Sequence, residues 1–259
     1  MPAPARGGTV GRMPVLNRRE ALLAFAATLA TPTARPGSPA MTTLHTFGDS
    51  ILDCARYNDR GVHPGQLLVR NDDALFPTFE TRDLLSLGPA ALDARAVDGA
   101  TVEDLAAQAR GVQAGTRSVA LLTIGGNDLL RGLASDSGRG ISLFADRLEH
   151  FLEALPIRPV LIGNVYDPTF GDDNQNFVGV PARLARANLR RVNDALAAAA
   201  ARHGRLVDVH SHFLRGDPSW YVHTIEPSLR GASEVRAAFW PAVRAAALAP
   251  VGALRTGRR

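Results

Sequence analysis

Apolar residues gather into short, nearly unbroken runs at 44–47, 119–124, 160–163 and 206–209, and a fifth run at 91–97 alternates apolar and polar positions. Runs of four to seven residues without a helical period predict β-strands, and continuity rather than alternation predicts strands covered on both faces, hence a parallel sheet. Between them, helical spacing of apolar positions predicts helices over 101–110, 143–155, 181–202 and 231–248. Strand and helix alternate along most of the chain. That order predicts an α/β protein, a three-layer α/β/α sandwich on a mainly parallel five-stranded sheet, whose ligands bind beyond the carboxyl ends of the strands.

Composition agrees with one sizeable core: of 259 residues 46% are hydrophobic and 21% charged, which excludes a disordered tail or a disulfide-stapled miniature. Cys54 stands alone, so no internal disulfide forms, and no CxxC or HExxH spacing offers a metal cage. His210 and His212, two residues apart at the end of the fifth run, would share one face of a strand; no third ligand accompanies them and the expectation is no metal. The net charge of +4 comes wholly from arginine, the chain having no lysine. Five arginines (Arg6, Arg12, Arg18, Arg19, Arg35) against Glu20 fall in residues 1–40, leaving the remainder with 24 basic and 24 acidic residues. No run of like charge can follow a phosphate backbone, so nucleic acid is not an expected partner.

Arg18-Arg19 precede an apolar run at 21–30 and then a stretch rich in Pro, Ser and Ala, in the order of a twin-arginine export signal, with Ala34 or Ala40 as exit positions. The run is shorter than the roughly 20 residues that span a bilayer, so stable membrane insertion is not expected. Export to the periplasm or medium is one expectation; the other is a cytoplasmic protein whose translation starts at Met41, residues 1–40 lying upstream. Either way the folded unit is expected at 41–250, with 251–259 a disordered tail.

The candidate chemistry lies at three strand ends. Gly48-Asp49-Ser50 follows the first run, Asp98-Gly99-Ala100-Thr101 the second, and Gly125-Gly126-Asn127-Asp128 the third. Each alone reads as turn and capping chemistry. Together, in a parallel sheet, they converge on one edge and bring a hydroxyl, glycine-freed amides and a carboxamide into one cleft. These are the groups of acyl transfer: Ser50 as nucleophile, with its own N–H, the Gly99 N–H and the Asn127 amide as donors to an oxyanion.

The blocks Phe47-Gly48-Asp49-Ser50-Ile51-Leu52-Asp53, then Gly99, then Gly125-Gly126-Asn127-Asp128 resemble the first three of the SGNH (GDSL) hydrolases, the likeness spanning roughly 41–240. The resemblance implies a flavodoxin-like sandwich and a cofactor-free serine esterase, lipase, thioesterase or carbohydrate deacetylase. It makes Ser50 the nucleophile and Ser50 N–H, Gly99 N–H and Asn127 the oxyanion hole. Its fourth block, Asp-x-x-His-Pro, is altered here. In the stretch from Trp220 to Gly231, aligned through Pro227 and Gly231, Glu226 occupies the histidine position and His223 the aspartate position. Imidazole is the better proton acceptor at neutral pH, so the expected base is His223, oriented by Glu226 or Asp217, with His210 or His212 next. Burial can raise a carboxylate until Glu226 itself serves.

The polar segments 53–79 and 167–177 are candidate cleft walls. Lacking continuous apolar character, they point to short esters or acylated sugars as small-molecule substrates. The rival expectation is a non-catalytic binding protein on the same scaffold, its exchanged His223 and Glu226 marking lost catalysis. A nucleotide binder is not expected, because no phosphate-cradling glycine run follows the first strand.

Overall fold

The structure, a computed structural model, describes residues 40–250. The twin-arginine stretch, the exit position at Ala34 and the 251–259 tail lie outside the described residues, which begin at the other exit position, Ala40. Five strands, β1 (Thr42–Gly48), β2 (Ala90–Ala94), β3 (Arg117–Thr123), β4 (Val160–Gly163) and β5 (Gly204–Val207), form one parallel sheet in the order β2-β1-β3-β4-β5. This is the flavodoxin-like order, with its switch point between β1 and β3.

Period-two alternation sorts the strand side chains to two cores. Val119 and Leu121 of β3 and Leu161 of β4 join a cluster with Val235, Phe239 and Val243 of α7 (Leu229–Leu248). Ala120, Leu122, Val160 and Ile162 face Phe144, Leu148 and Leu152 of α4 (Gly140–Ala154) and Val192 and Leu196 of α5 (Ala182–His203). Helices therefore cover both faces, which is why the strands read as continuous apolar runs.

Two elements differ from expectation. The fifth strand ends at Val207, because the Asp208 carboxylate accepts from Ser211 N at 3.0 Å and caps a short helix, α6 (Val209–Leu214). His210 and His212 sit on that helix, not on one face of a strand: His210 Nδ1 meets Val165 O at 2.9 Å, and His212 Nε2 meets Glu234 Oε2 at 2.9 Å. Among the described residues no group of three His, Cys, Asp or Glu side chains is placed to hold a metal. The 53–79 segment carries a helix, α1 (Pro64–Val69), whose Leu68 joins the α7 core. Buried Arg236 of α7 lies over the Phe79 ring, 3.5 Å from guanidinium carbon to centroid, and its Nη1 donates to Asn71 Oδ1 at 2.6 Å. Most of that segment is thus packed structure. No described helix is long and apolar enough to cross a membrane.

Candidate active site

The three strand-end turns are stitched to one another. Gly48 permits the closest approach: a side chain there would put its Cβ 1.6 Å from Thr123 O, where Asp49 N donates at 3.1 Å. Asp53 Oδ2 accepts from Asp98 N at 2.9 Å, tying the β1 turn to the β2 turn. The turn after β3 opens α3 (Gly126–Leu130), from which the Asp128 carboxylate accepts from Val102 N at 3.2 Å and Asn127 Nδ2 donates to Ala100 O at 3.0 Å. Arg131 Nη2 holds Gly99 O at 2.9 Å, fixing the Gly99 peptide, whose φ is 79°. The Asn-Asp pair is thereby explained: it reaches from the third turn to the second.

Ser50 is 8% exposed, at the floor of a cleft shared with Asn127, and both line one pocket. Among the described residues, neither the Ser50 N–H nor the Gly99 N–H donates to a protein acceptor. Buried amides are ordinarily paired, so the free N–H of buried Ser50 is a donor available to a ligand, and the part-exposed Gly99 N–H is free as well.

Glu226 lies on a two-residue strand, β7 (Glu226–Pro227), antiparallel to β6 (Tyr221–Val222), with Val222 opposite Glu226. The turn between them holds His223 and Thr224 at positive φ, 48° and 74°, an uncommon conformation for these residue types, Thr above all. Tyr166 OH donates to Ile225 O at 2.5 Å, and the Tyr57 ring meets the His223 ring edge-on at 5.9 Å. The half-buried Glu226 carboxyl interacts with the Ser50 side chain. Burial raises its pKa; the Ser50 hydroxyl pulls it down, the Asp98 charge raises it, and the His223 charge lowers it. Its Oε2 is buried without a hydrogen-bond partner. The last helix is capped by Ser228, whose Oγ accepts from Gly231 N at 3.1 Å.

His223 is exposed, and its ring hydrogen-bonds none of Ser50, Asp217 and Glu226. Asp217 serves elsewhere, accepting from Ser219 N at 2.8 Å as the cap of a short turn of helix over Pro218–Trp220. The structure thus lines one pocket with Ser50 and Asn127 and sets the Glu226 carboxyl against Ser50, while Gly99 lines a separate depression and exposed His223 acts on Glu226 by charge.

Sequence reasoning passed over Asp49. Its buried carboxyl accepts from Thr123 Oγ1 at 2.9 Å and Ile51 N at 3.2 Å, and burial, followed by smaller effects including the Asp128 and Glu226 charges, raises its pKa to about 7. It also passed over the apolar pocket beside Ser50, although α5 carries the signal as Ala182, Ala185 and Leu189 on one helical face. The 167–177 segment does form a wall of that pocket, through Asp167, Thr169, Asn176 and Phe177 among others.

Ser50 stands on the turn that follows β1, beside the switch point of a flavodoxin-like sandwich. The chain belongs to the GDSL-like lipase/acylhydrolase family, whose model matches residues 17–232, and it is accordingly an ester-hydrolysing enzyme. No curated protein matches it in sequence. Among solved structures, LAE5, an α/β hydrolase enzyme from the metagenome of Lake Arreo, Spain, is 23% identical with a TM-score of 0.54, covering 80% of this chain and 96% of its own. Axe2, an acetylxylan esterase from Geobacillus stearothermophilus, is 18% identical with a TM-score of 0.56, covering 80% and 95%. The lipase/acylhydrolase from Enterococcus faecalis is 17% identical with a TM-score of 0.56, covering 79% and 96%. At these identities the likenesses establish the fold.

Proposed function

We propose that the protein is a serine ester hydrolase in which Glu226, not an imidazole, is the general base. The observation that carries this is the half-buried Glu226 carboxyl set against Ser50 with one oxygen unpartnered. Glu226 takes the Ser50 proton as Oγ attacks the ester carbonyl carbon. Ser50 N–H, Gly99 N–H and the second hydrogen of Asn127 Nδ2 receive the oxyanion. The carbon–oxygen bond to the alcohol then breaks and the leaving oxygen takes the proton from Glu226. Glu226 then takes a proton from water as its oxygen attacks the acyl-serine carbonyl; the carbon–oxygen bond to Ser50 breaks, Oγ takes that proton back from Glu226, and the acid leaves. His223 tunes Glu226 through its charge.

The substrate is a small-molecule ester; an acylated sugar, of the kind that the acetylxylan esterase is named for, fits the same chemistry. The catalytic unit is residues 41–250. Export through the Arg18-Arg19 stretch is tested by fractionating cells that express the chain with both arginines replaced by lysine; retention of the variant and release of the original is the expected outcome.

Hydrolysis of 4-nitrophenyl acetate by the full chain and by Ser50→Ala tests the mechanism. The variant is expected to lose a factor of about 10³ or more, and a fluorophosphonate probe is expected to label Ser50. Equal rates and no labelling, with ligand binding intact, would establish the non-catalytic reading that the exchanged His223 and Glu226 favour.

A further inference from the structure

The pocket beside Ser50 has a volume of about 130 Å³ and both apolar and polar lining residues. Its apolar lining includes Leu129, Val165, Val178, Ala185, Leu189 and Ile225. Leu130 and Phe177, 44% and 42% exposed, extend this apolar surface to the mouth. The polar side chains of the 167–176 wall and Arg186 are already bonded within the protein. Arg186 Nη1 donates to Asp167 Oδ2 at 2.8 Å, Thr169 Oγ1 to Asp167 Oδ1 at 2.6 Å, and Asn176 Nδ2 to Val180 O at 2.6 Å. Free donors for a ligand lie at the Ser50 end, so the pocket suits a molecule with a polar head at Ser50 and an apolar tail.

The proton path decides which half of an ester that tail is. The leaving alcohol must receive its proton from Glu226, which does not line the pocket, whereas Ser50 and Asn127 do. Gly99, the third oxyanion donor, lies in a separate polar depression with Arg95, Asp98, Asp104 and Arg131. An ester carbonyl held among Ser50, Gly99 and Asn127 therefore sends its acyl chain along α5 and its alcohol towards the open polar side. We infer that the enzyme is selective for esters of apolar, medium-length acyl chains, with the 167–178 loop and the Ala182/Ala185 face of α5 setting the chain length. This rests on the serine-hydrolase reading above and replaces the expectation of short acyl groups.

The test uses two substrate series on the full chain: 4-nitrophenyl esters from acetate to decanoate, and acetate esters of alcohols from methanol to octanol. We expect kcat/KM to rise about fourfold per methylene in the acyl series until the pocket is full, and to vary only a few-fold across the alcohol series. Ala185→Phe, on the pocket floor, and Ala182→Phe, in the first turn of α5, are each expected to lower the octanoate-to-acetate ratio tenfold or more. A flat acyl series, or a chain-length preference confined to the alcohol series, overturns the inference whenever acetate turnover still depends on Ser50. Loss of that dependence would instead sink the serine mechanism itself, so the two failures are distinguishable.

Discussion

A glutamate next to a serine hydroxyl is a weaker acceptor than an imidazole unless its environment favours the proton, and desolvation at Glu226 does so. Because the base must be ionised to act, kcat/KM should climb with pH along one limb centred above the ordinary glutamate value of 4.5. Glu226→Gln is expected to cost about 10² to 10⁴ in kcat/KM and to abolish the limb. Glu226→His should move the limb towards about 6.5. The His223 charge lowers the Glu226 pKa, so His223→Ala should shift the limb upward and leave the plateau rate standing. The reverse pattern, with His223→Ala inactive and Glu226→Gln active, would make the imidazole the base. Asn127→Ala separates the oxyanion donors from the base: a loss of about 10² to 10³ in kcat without movement of the limb is expected.

At the scale of elements, the 167–173 part of the loop after β4 is tied to α5 by Arg186, which donates through Nη1 to Asp167 and through Nε to Asp173 Oδ1 at 3.1 Å. Asp167 is buried, so removing its partner leaves a carboxylate short of a donor. Arg186→Met, which keeps the stem, should destabilise the protein by roughly 1–2 kcal/mol in thermal unfolding and speed proteolytic nicking within 167–178 several-fold. Unchanged nicking would mean the loop is held by its apolar contacts. This loop also marks the limit of what the chain discloses in one dimension. Sheet, layers and the three strand-end turns were legible, because each rests on a local pattern: a continuous apolar run, a helical stripe, or glycine beside a polar group. The α6 helix was not, since Val209 prolongs an apolar run and only the Asp208 cap reveals where the strand stops. The approach of Glu226 to Ser50 was legible only through the alignment at Pro227 and Gly231 that set Glu226 at the base position, not from any local pattern. It depends on a two-residue pairing of β6 with β7 and on a strained turn at His223 and Thr224, and neither has a periodic signature.

Over the whole molecule the carboxylates divide by location. On the surface, Glu149 is held down to about 2 by its hydrogen bond from Arg202 and then by His203, while Ser219 lowers Asp217 and the Asn174 backbone lowers Asp172. Those groups favour folding above the unfolded carboxylate pKa and lose that contribution on acidification. Around Ser50 the direction reverses, with Asp49, Asp128 and Glu226 all raised first by burial. For Asp49 the folded value is about 7 against 3.8, so its contribution is complete below pH 3.8 and is lost as pH rises through 7. At 1.36 kcal/mol per pKa unit that loss is on the order of 4 kcal/mol, a cost chiefly of burying the Asp49 carboxyl. Asp49→Asn retains an oxygen for Thr123 Oγ1 and Ile51 N but cannot ionise. Its melting temperature should match that of the original chain near pH 4 and exceed it by roughly 10 °C near pH 7.5. Melting curves that run parallel across that range would mean that Asp49 carries its proton no more tightly in the folded protein than in the unfolded chain, and that the cleft stores no such charge strain.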